Sequence, residues 1–161
     1  MVRSAMVGMA VVLVALLAQW TLGAEAGSTQ TPGQTAAGRR SIWDGVYTDE
    51  QAARGRMQYE YSCAQCHLEE LQGDSSKDVP ALSGDRFLND WNGRSVKDLI
   101  DVVSKTMPGG SPGSLRPQSY RDILAYVMQL NEFPAGTQEF PADPGALEQI
   151  LIEKRPGSKN Q

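Results

Sequence analysis

Histidine occurs once and cysteine twice among the 161 residues, so chemistry that needs several imidazole or thiolate groups has little to draw on. A structural zinc site normally takes four protein ligands, and after Cys63, Cys66 and His67 no further Cys or His remains to complete one. A carboxylate in that fourth position is unusual. Positive charge is scarce as well: 15 Lys and Arg against 19 Asp and Glu leave a net charge of −4. That balance excludes a nucleic-acid binder held by phosphate contacts and a polybasic membrane footprint. There is no internal repeat, and the one long apolar run lies at the amino end and contains no cysteine, which excludes a lipoprotein anchor.

That run reads as a secretory signal peptide over residues 1–26. Arg3 precedes apolar residues from Ala5 to Leu17, and Ala24-Glu25-Ala26 puts small residues where a cleavage site needs them. Cleavage after Ala26 leaves 161 − 26 = 135 residues, enough for one small domain. An uncleaved anchor is the alternative, since Ala5 to Leu22 is 18 residues long, though Gln19, Trp20 and Thr21 weaken it. Membrane attachment is thus expected only if the segment is kept. Residues 27–40, rich in Gly, Ser, Thr, Gln and Ala, read as a flexible linker. Residues 41–135 then form the domain, and 136–161 a C-terminal extension with a short helix and a frayed tail.

All three scarce residues stand together in Cys63-Ala64-Gln65-Cys66-His67, a c-type haem attachment signature. Two thiols three residues apart can each add to one vinyl group of a haem, while the next imidazole rises onto the iron. A redox dithiol would need a strand before it and a βαβ setting, whereas the flanking sequence is helically patterned. A simple disulfide is the remaining alternative. A haem would also act as the core that so short a chain otherwise lacks.

The pattern predicts helices throughout. Ile42 to Tyr47 forms an apolar and aromatic lead-in packed on the domain. Thr48 opens a first helix, with Gln51 completing a capping box, and it runs to about Ser62. Gly55 within it suggests that another element crosses there, with Tyr126 the candidate, and Tyr59 lies on the same face. The Pro80 carbonyl is placed to accept the Nδ1 proton of His67, against the plainer reading of a loop proline. Phe87 and Trp91, one turn apart, read as core aromatics over the haem edge, Trp91 also as an indole donor to a propionate. Ser95 to Thr106 is amphipathic, with Ser95 and Asp98 forming a capping box.

Met107 follows where Pro108, Gly109 and Gly110 stop that helix, on a loop able to bend back towards an iron. A methionine is more often a core filler, but this position and the single histidine favour ligation. Met57 lies on the helix entering from the histidine side, and Met128 inside an apolar helix, so neither competes. Pro117 starts a helix to about Asn131, with apolar positions at Tyr120, Ile123, Leu124, Val127 and Leu130. Asp143 and Pro144 cap a last helix from Gly145 to Ile152, whose Leu147, Ile150 and Leu151 pack back on the domain.

From about Thr48 to Asn131 the chain resembles the class I cytochrome c family. The matching residues are Gly55 and Tyr59, the Cys63-Cys66-His67 motif, the Pro80 to Gly84 loop, Trp91, Thr106-Met107-Pro108, and Ile123-Leu124-Ala125-Tyr126. The resemblance implies an all-α domain wrapped around one covalent haem c, with the first and last helices crossing at the small residue. Leu68 departs from the glycine many members carry there, a change expected only to alter local backbone freedom. The Trp43 lead-in and the tail after Phe133 look similar to small cytochromes that accompany periplasmic quinoprotein dehydrogenases.

The expectation is a periplasmic monohaem carrier of single electrons with His67 and Met107 as axial ligands, and not an enzyme. Its partners would be redox proteins: a donor dehydrogenase, an acceptor oxidase or another cytochrome. Given the acidic chain, a partner should present a neutral or basic face. The alternative is a haem enzyme or gas sensor with an open sixth position, for which the lack of a second histidine as distal acid or base counts against it.

Overall fold

Helix α1, Asp49–Ser62, begins where Thr48 leaves the extended region and its hydroxyl accepts the Gln51 N–H at 3.1 Å. The computed structural model describes residues 38–155 and 157; the proposed signal peptide and most of the linker lie outside them. After α1 come α2 (Ala64–His67), α3 (Gly84–Trp91), α4 (Val96–Thr106), α5 (Pro117–Leu130) and α6 (Pro144–Glu148). The only strands among the described residues are β1 (Arg40–Ser41) and β2 (Ile150–Leu151), a two-residue parallel pair. The fold is therefore all-α, and none of these helices is long and apolar enough to cross a membrane.

Helix α1 packs chiefly on α5. The crossing is at Gly55, where an added Cβ would collide with the main-chain carbonyl of Asp122. Backbone thus meets backbone at the point where the sequence suggested the Tyr126 side chain; Tyr126 instead packs its ring 5.4 Å from that of Tyr59, one turn further on. The Thr48 capping box is only half made. Gln51 turns away from Thr48: its Nε2 donates to Asp122 Oδ1 at 3.3 Å and its Oε1 accepts the Phe140 N–H at 2.9 Å. The box at Ser95, by contrast, is complete, with Ser95 Oγ accepting the Asp98 N–H and Asp98 Oδ2 accepting the Ser95 N–H, each at 3.0 Å.

The C-terminal extension is part of the body rather than an appendage. Its Phe140, Leu147, Ile150 and Ile152 are buried with Ile42, Tyr47 and Phe87 in one cluster. The Tyr47 hydroxyl donates to the Phe133 carbonyl at 2.5 Å, and the Gly136 N–H to the Tyr47 carbonyl at 2.7 Å. The expected helix to Ile152 stops at Glu148, because Ile150 and Leu151 bond instead to β1 and Ile152 exchanges hydrogen bonds with Gly93 and Arg94. Trp43 closes the same corner, its indole N–H donating to the Glu153 carbonyl at 2.9 Å. The linker reading reached Arg40, yet Arg40 is tied down: its N–H donates to the Gln149 carbonyl at 2.8 Å. Leu130, expected on the apolar face of α5, is 40% exposed.

Candidate functional site

Cys63 interrupts two helices. It caps the end of α1, its N–H donating to the Tyr59 carbonyl at 2.8 Å, and its own carbonyl accepts the N–H groups of Cys66 and His67 at 3.1 and 2.9 Å. One tight turn thus presents both thiols and the imidazole from a single rigid start. Cys63 is half-buried and Cys66 exposed. Burial, and then the neighbouring Cys66 thiolate, pushes the Cys63 thiol up to about 11, the reverse of the depressed values that make a dithiol redox-active. The element leading into the motif is helix α1 and not a strand, and among the described residues no cluster of three or more His, Cys, Asp or Glu is arranged to hold a metal ion. The dithiol and zinc readings therefore lack their structural settings.

His67 is buried, and its Nδ1 lies 3.1 Å from the Pro80 carbonyl. A carbonyl can only accept, so Nδ1 carries the proton and Nε2 keeps its lone pair. Burial lowers the imidazole below its usual range and the Pro80 bond partly offsets this, so near neutral pH the ring is in the uncharged form that can bind a metal.

The loop that carries Pro80 is held from three sides. Gly73, at φ 66°, lies so close to Val79 and Pro80 that a side chain there would strike their backbone. The Leu82 N–H donates to the Leu71 carbonyl at 2.7 Å. Asn131, at the end of α5, donates from Nδ2 to the Leu82 carbonyl at 2.9 Å and accepts the Gly84 N–H at 3.0 Å. Asn131 had no role in the sequence reading beyond ending a helix; a side-chain amide at such an end was the only signal available.

Met107 is the residue at which α4 gives way to extended backbone, φ −126° and ψ 152°, and it is half-buried. Its carbonyl accepts the Tyr120 hydroxyl at 2.9 Å, a tether from α5 that the sequence did not reveal. Along α4, Val96 and Leu99 are buried, while Ile100 and Val103 on the same stripe are only partly so. Leu82, Trp91 and Leu115 are likewise half-covered at the margin of the core. Trp91 has the Arg94 guanidinium 4.2 Å above its ring. Partly covered apolar side chains of this kind, with a neutral oriented imidazole and two thiols in one turn, fit a flat apolar macrocycle attached at the cysteines.

A second cluster went unseen in the sequence. Asp122 is buried at the α1–α5 crossing, where Arg54 donates to both its oxygens, 3.1 and 3.2 Å, and Gln118 to Oδ1 at 2.6 Å. Arg54 also reaches Glu139 at 2.8 Å, and these two carboxylates hold its guanidinium well above its usual range. This network carries no chemistry of its own. It fixes the crossing from which Cys63 departs.

The family model described as cytochrome c oxidase, cbb3-type, subunit III matches residues 50–127. No curated protein matches the chain. A similar solved structure is that of the sulfane dehydrogenase SoxCD from Paracoccus pantotrophus, 22% identical, with a TM-score of 0.48, covering 68% of this chain and 61% of that one. The chain thus spans about three-fifths of the length of that relative.

Proposed function

Because the chain belongs to the class I cytochrome c family, whose members are haem-bearing electron carriers, we propose that it carries single electrons in the periplasm with one haem c bound covalently through Cys63 and Cys66. In this reading His67 and Met107 would hold the haem iron, and the haem, when bound, would supply a one-electron iron couple. The observation that carries the proposal is the buried His67, its ring fixed by the Pro80 carbonyl one residue after the second thiol of the turn. Pro80 raises the basicity of the imidazole and sets its tautomer. Met107 offers a soft thioether, which favours the reduced state relative to a second histidine. Leu82, Ile100 and Val103, half-covered at the margin of the core, would shield a bound haem from water in this reading, and the Trp91 indole N–H would be a donor for a propionate.

No side chain is required to act as acid, base or nucleophile. Export by the signal peptide fits attachment of haem outside the cytoplasmic membrane. The partners are redox proteins, a donor dehydrogenase of the quinoprotein kind among them, with an oxidase or another cytochrome as acceptor. The test is haem staining after denaturing electrophoresis of the exported protein, alongside iron analysis. Wild type should stain, Cys63→Ala and Cys66→Ala each should stain weakly, and the double variant should not stain. An unstained wild-type band, or zinc in place of iron, would overturn the proposal.

A further inference from the structure

A groove of about 470 Å³ opens between α1, the turn after α2, and α5, lined by Arg56, Glu60, Glu69, Glu70, Tyr126 and Leu130. Arg56 is spent on Glu60 at 2.8 Å, whereas Glu69 and Glu70 make no ion pair among the described residues. Tyr126 is nine-tenths buried, its ring held against Tyr59, and its hydroxyl lines the groove with no hydrogen-bond partner among the described residues. The ring is covered while the hydroxyl oxygen stays accessible from the groove, free to bond a polar group that enters it. Two free carboxylates, an idle phenol oxygen and the apolar flank of Leu130 together suit an ammonium or guanidinium on an aliphatic stem.

The groove does not end there. A second concavity, of about 640 Å³, shares Glu60, Glu69 and Glu70 and runs along α2 past Ala64, Gln65 and Leu68. The three carboxylates form a ridge between the two, with the exposed apolar side chains Leu68 and Leu130 at its flanks. Such an extended, acidic and partly apolar surface fits a protein segment better than a small cation.

We propose that these grooves receive a lysine- or arginine-bearing loop of the redox partner, with one cationic side chain seated between Glu69, Glu70 and the Tyr126 hydroxyl. This rests on the electron-carrier reading for the identity of the partner, and it brings that partner alongside the turn of Cys63 and Cys66. The net charge of −4 agrees with a basic partner.

The probe is an octalysine peptide titrated into the haem-loaded protein at low ionic strength and followed by amide chemical shifts. Shifts should gather at Glu69, Glu70, Tyr126 and Leu130. Glu69→Gln with Glu70→Gln should weaken binding about tenfold, and Tyr126→Phe, which keeps the ring packing, by a few-fold. Glu50→Gln with Glu148→Gln makes the same charge change elsewhere and should leave binding as in wild type. The idea is overturned if that control weakens binding as much, if the Glu69/Glu70 variant binds like wild type, if the shifts gather elsewhere, or if wild type does not bind. Reduction of each protein by ascorbate is measured separately. Its failure counts against the carrier reading and not against the groove.

Discussion

At Leu68 the backbone takes φ 63° and ψ 165°, a region almost reserved for glycine that costs other residues about 1–3 kcal/mol. The departure from the family pattern is therefore a source of strain and more than a change in local freedom. The strain is held by the Tyr59 hydroxyl, which donates to the Leu68 carbonyl at 2.7 Å. Leu68→Gly should stabilise the protein by about 1 kcal/mol after the extra freedom of the unfolded glycine is deducted, as measured by denaturant unfolding. The three methionines of the described chain also part company at this scale. Met57 is 66% exposed, Met128 fully buried and Met107 half-buried at a helix end. Only Met107→Leu should admit carbon monoxide, remove the sulfur-to-ferric charge-transfer band and lower the reduction potential. Met128→Leu should cost less than about 1.5 kcal/mol as a volume-conserving core change, and Met57→Leu almost nothing. A wild-type protein that binds carbon monoxide readily would instead favour the open-site reading.

Between elements, the α1–α5 crossing leaves no room for a side chain at Gly55, because the opposing atom is the backbone carbonyl of Asp122. Gly55→Ala should raise helix propensity by up to about 1 kcal/mol and still destabilise, since overpacking costs about 1–3 kcal/mol and more where backbone must move. Thermal unfolding of the holoprotein reads the sign. The start of α4 gives a pH test. The Asp98 carboxylate accepts the backbone N–H of Ser95 and then its hydroxyl, which lowers its pKa below the ordinary carboxylate value. The unfolded chain therefore binds that proton more tightly. The contribution is complete above about pH 4, the unfolded value, and is lost as pH falls through the lower folded value. Asp98→Asn should flatten this part of the acid stability curve, and Ser95→Ala should cost about 1 kcal/mol at neutral pH.

Over the whole molecule, the segment after Gly136 supplies Phe140, Leu147, Ile150 and Ile152 to the common core. At about 1.5–3 kcal/mol for each buried side chain, its removal approaches the entire stability of a small domain, about 5–15 kcal/mol. A chain ending at Gly136 would also leave the Gln51 amide oxygen without the Phe140 N–H and Arg54 without Glu139. Such a truncation should abolish accumulation of stained holoprotein, while Ile150→Ala should lower stability by about 2–5 kcal/mol and leave the visible spectrum unchanged. A truncated chain that melts like wild type would show the extension to be dispensable.

Local chemistry was legible in the residues themselves. Ser95 with Asp98 makes its capping box from neighbours in sequence, and Pro117 begins α5 because a missing N–H is harmless at that position. The grouping of Cys63, Cys66 and His67 in one turn follows from spacing alone. What remained hidden depends on chain segments far apart. Gln51 abandons Thr48 because Asp122 and Phe140, distant in sequence, offer it two buried partners. Asn131 holds the Pro80 loop from 49 residues beyond Leu82, and Ile150 and Leu151 leave the expected helix because β1 supplies hydrogen bonds there. Sequence patterns carry the bonds a residue makes within a turn or two, whereas a bond made across the core depends on which groups packing leaves unsatisfied, and only the folded chain decides that.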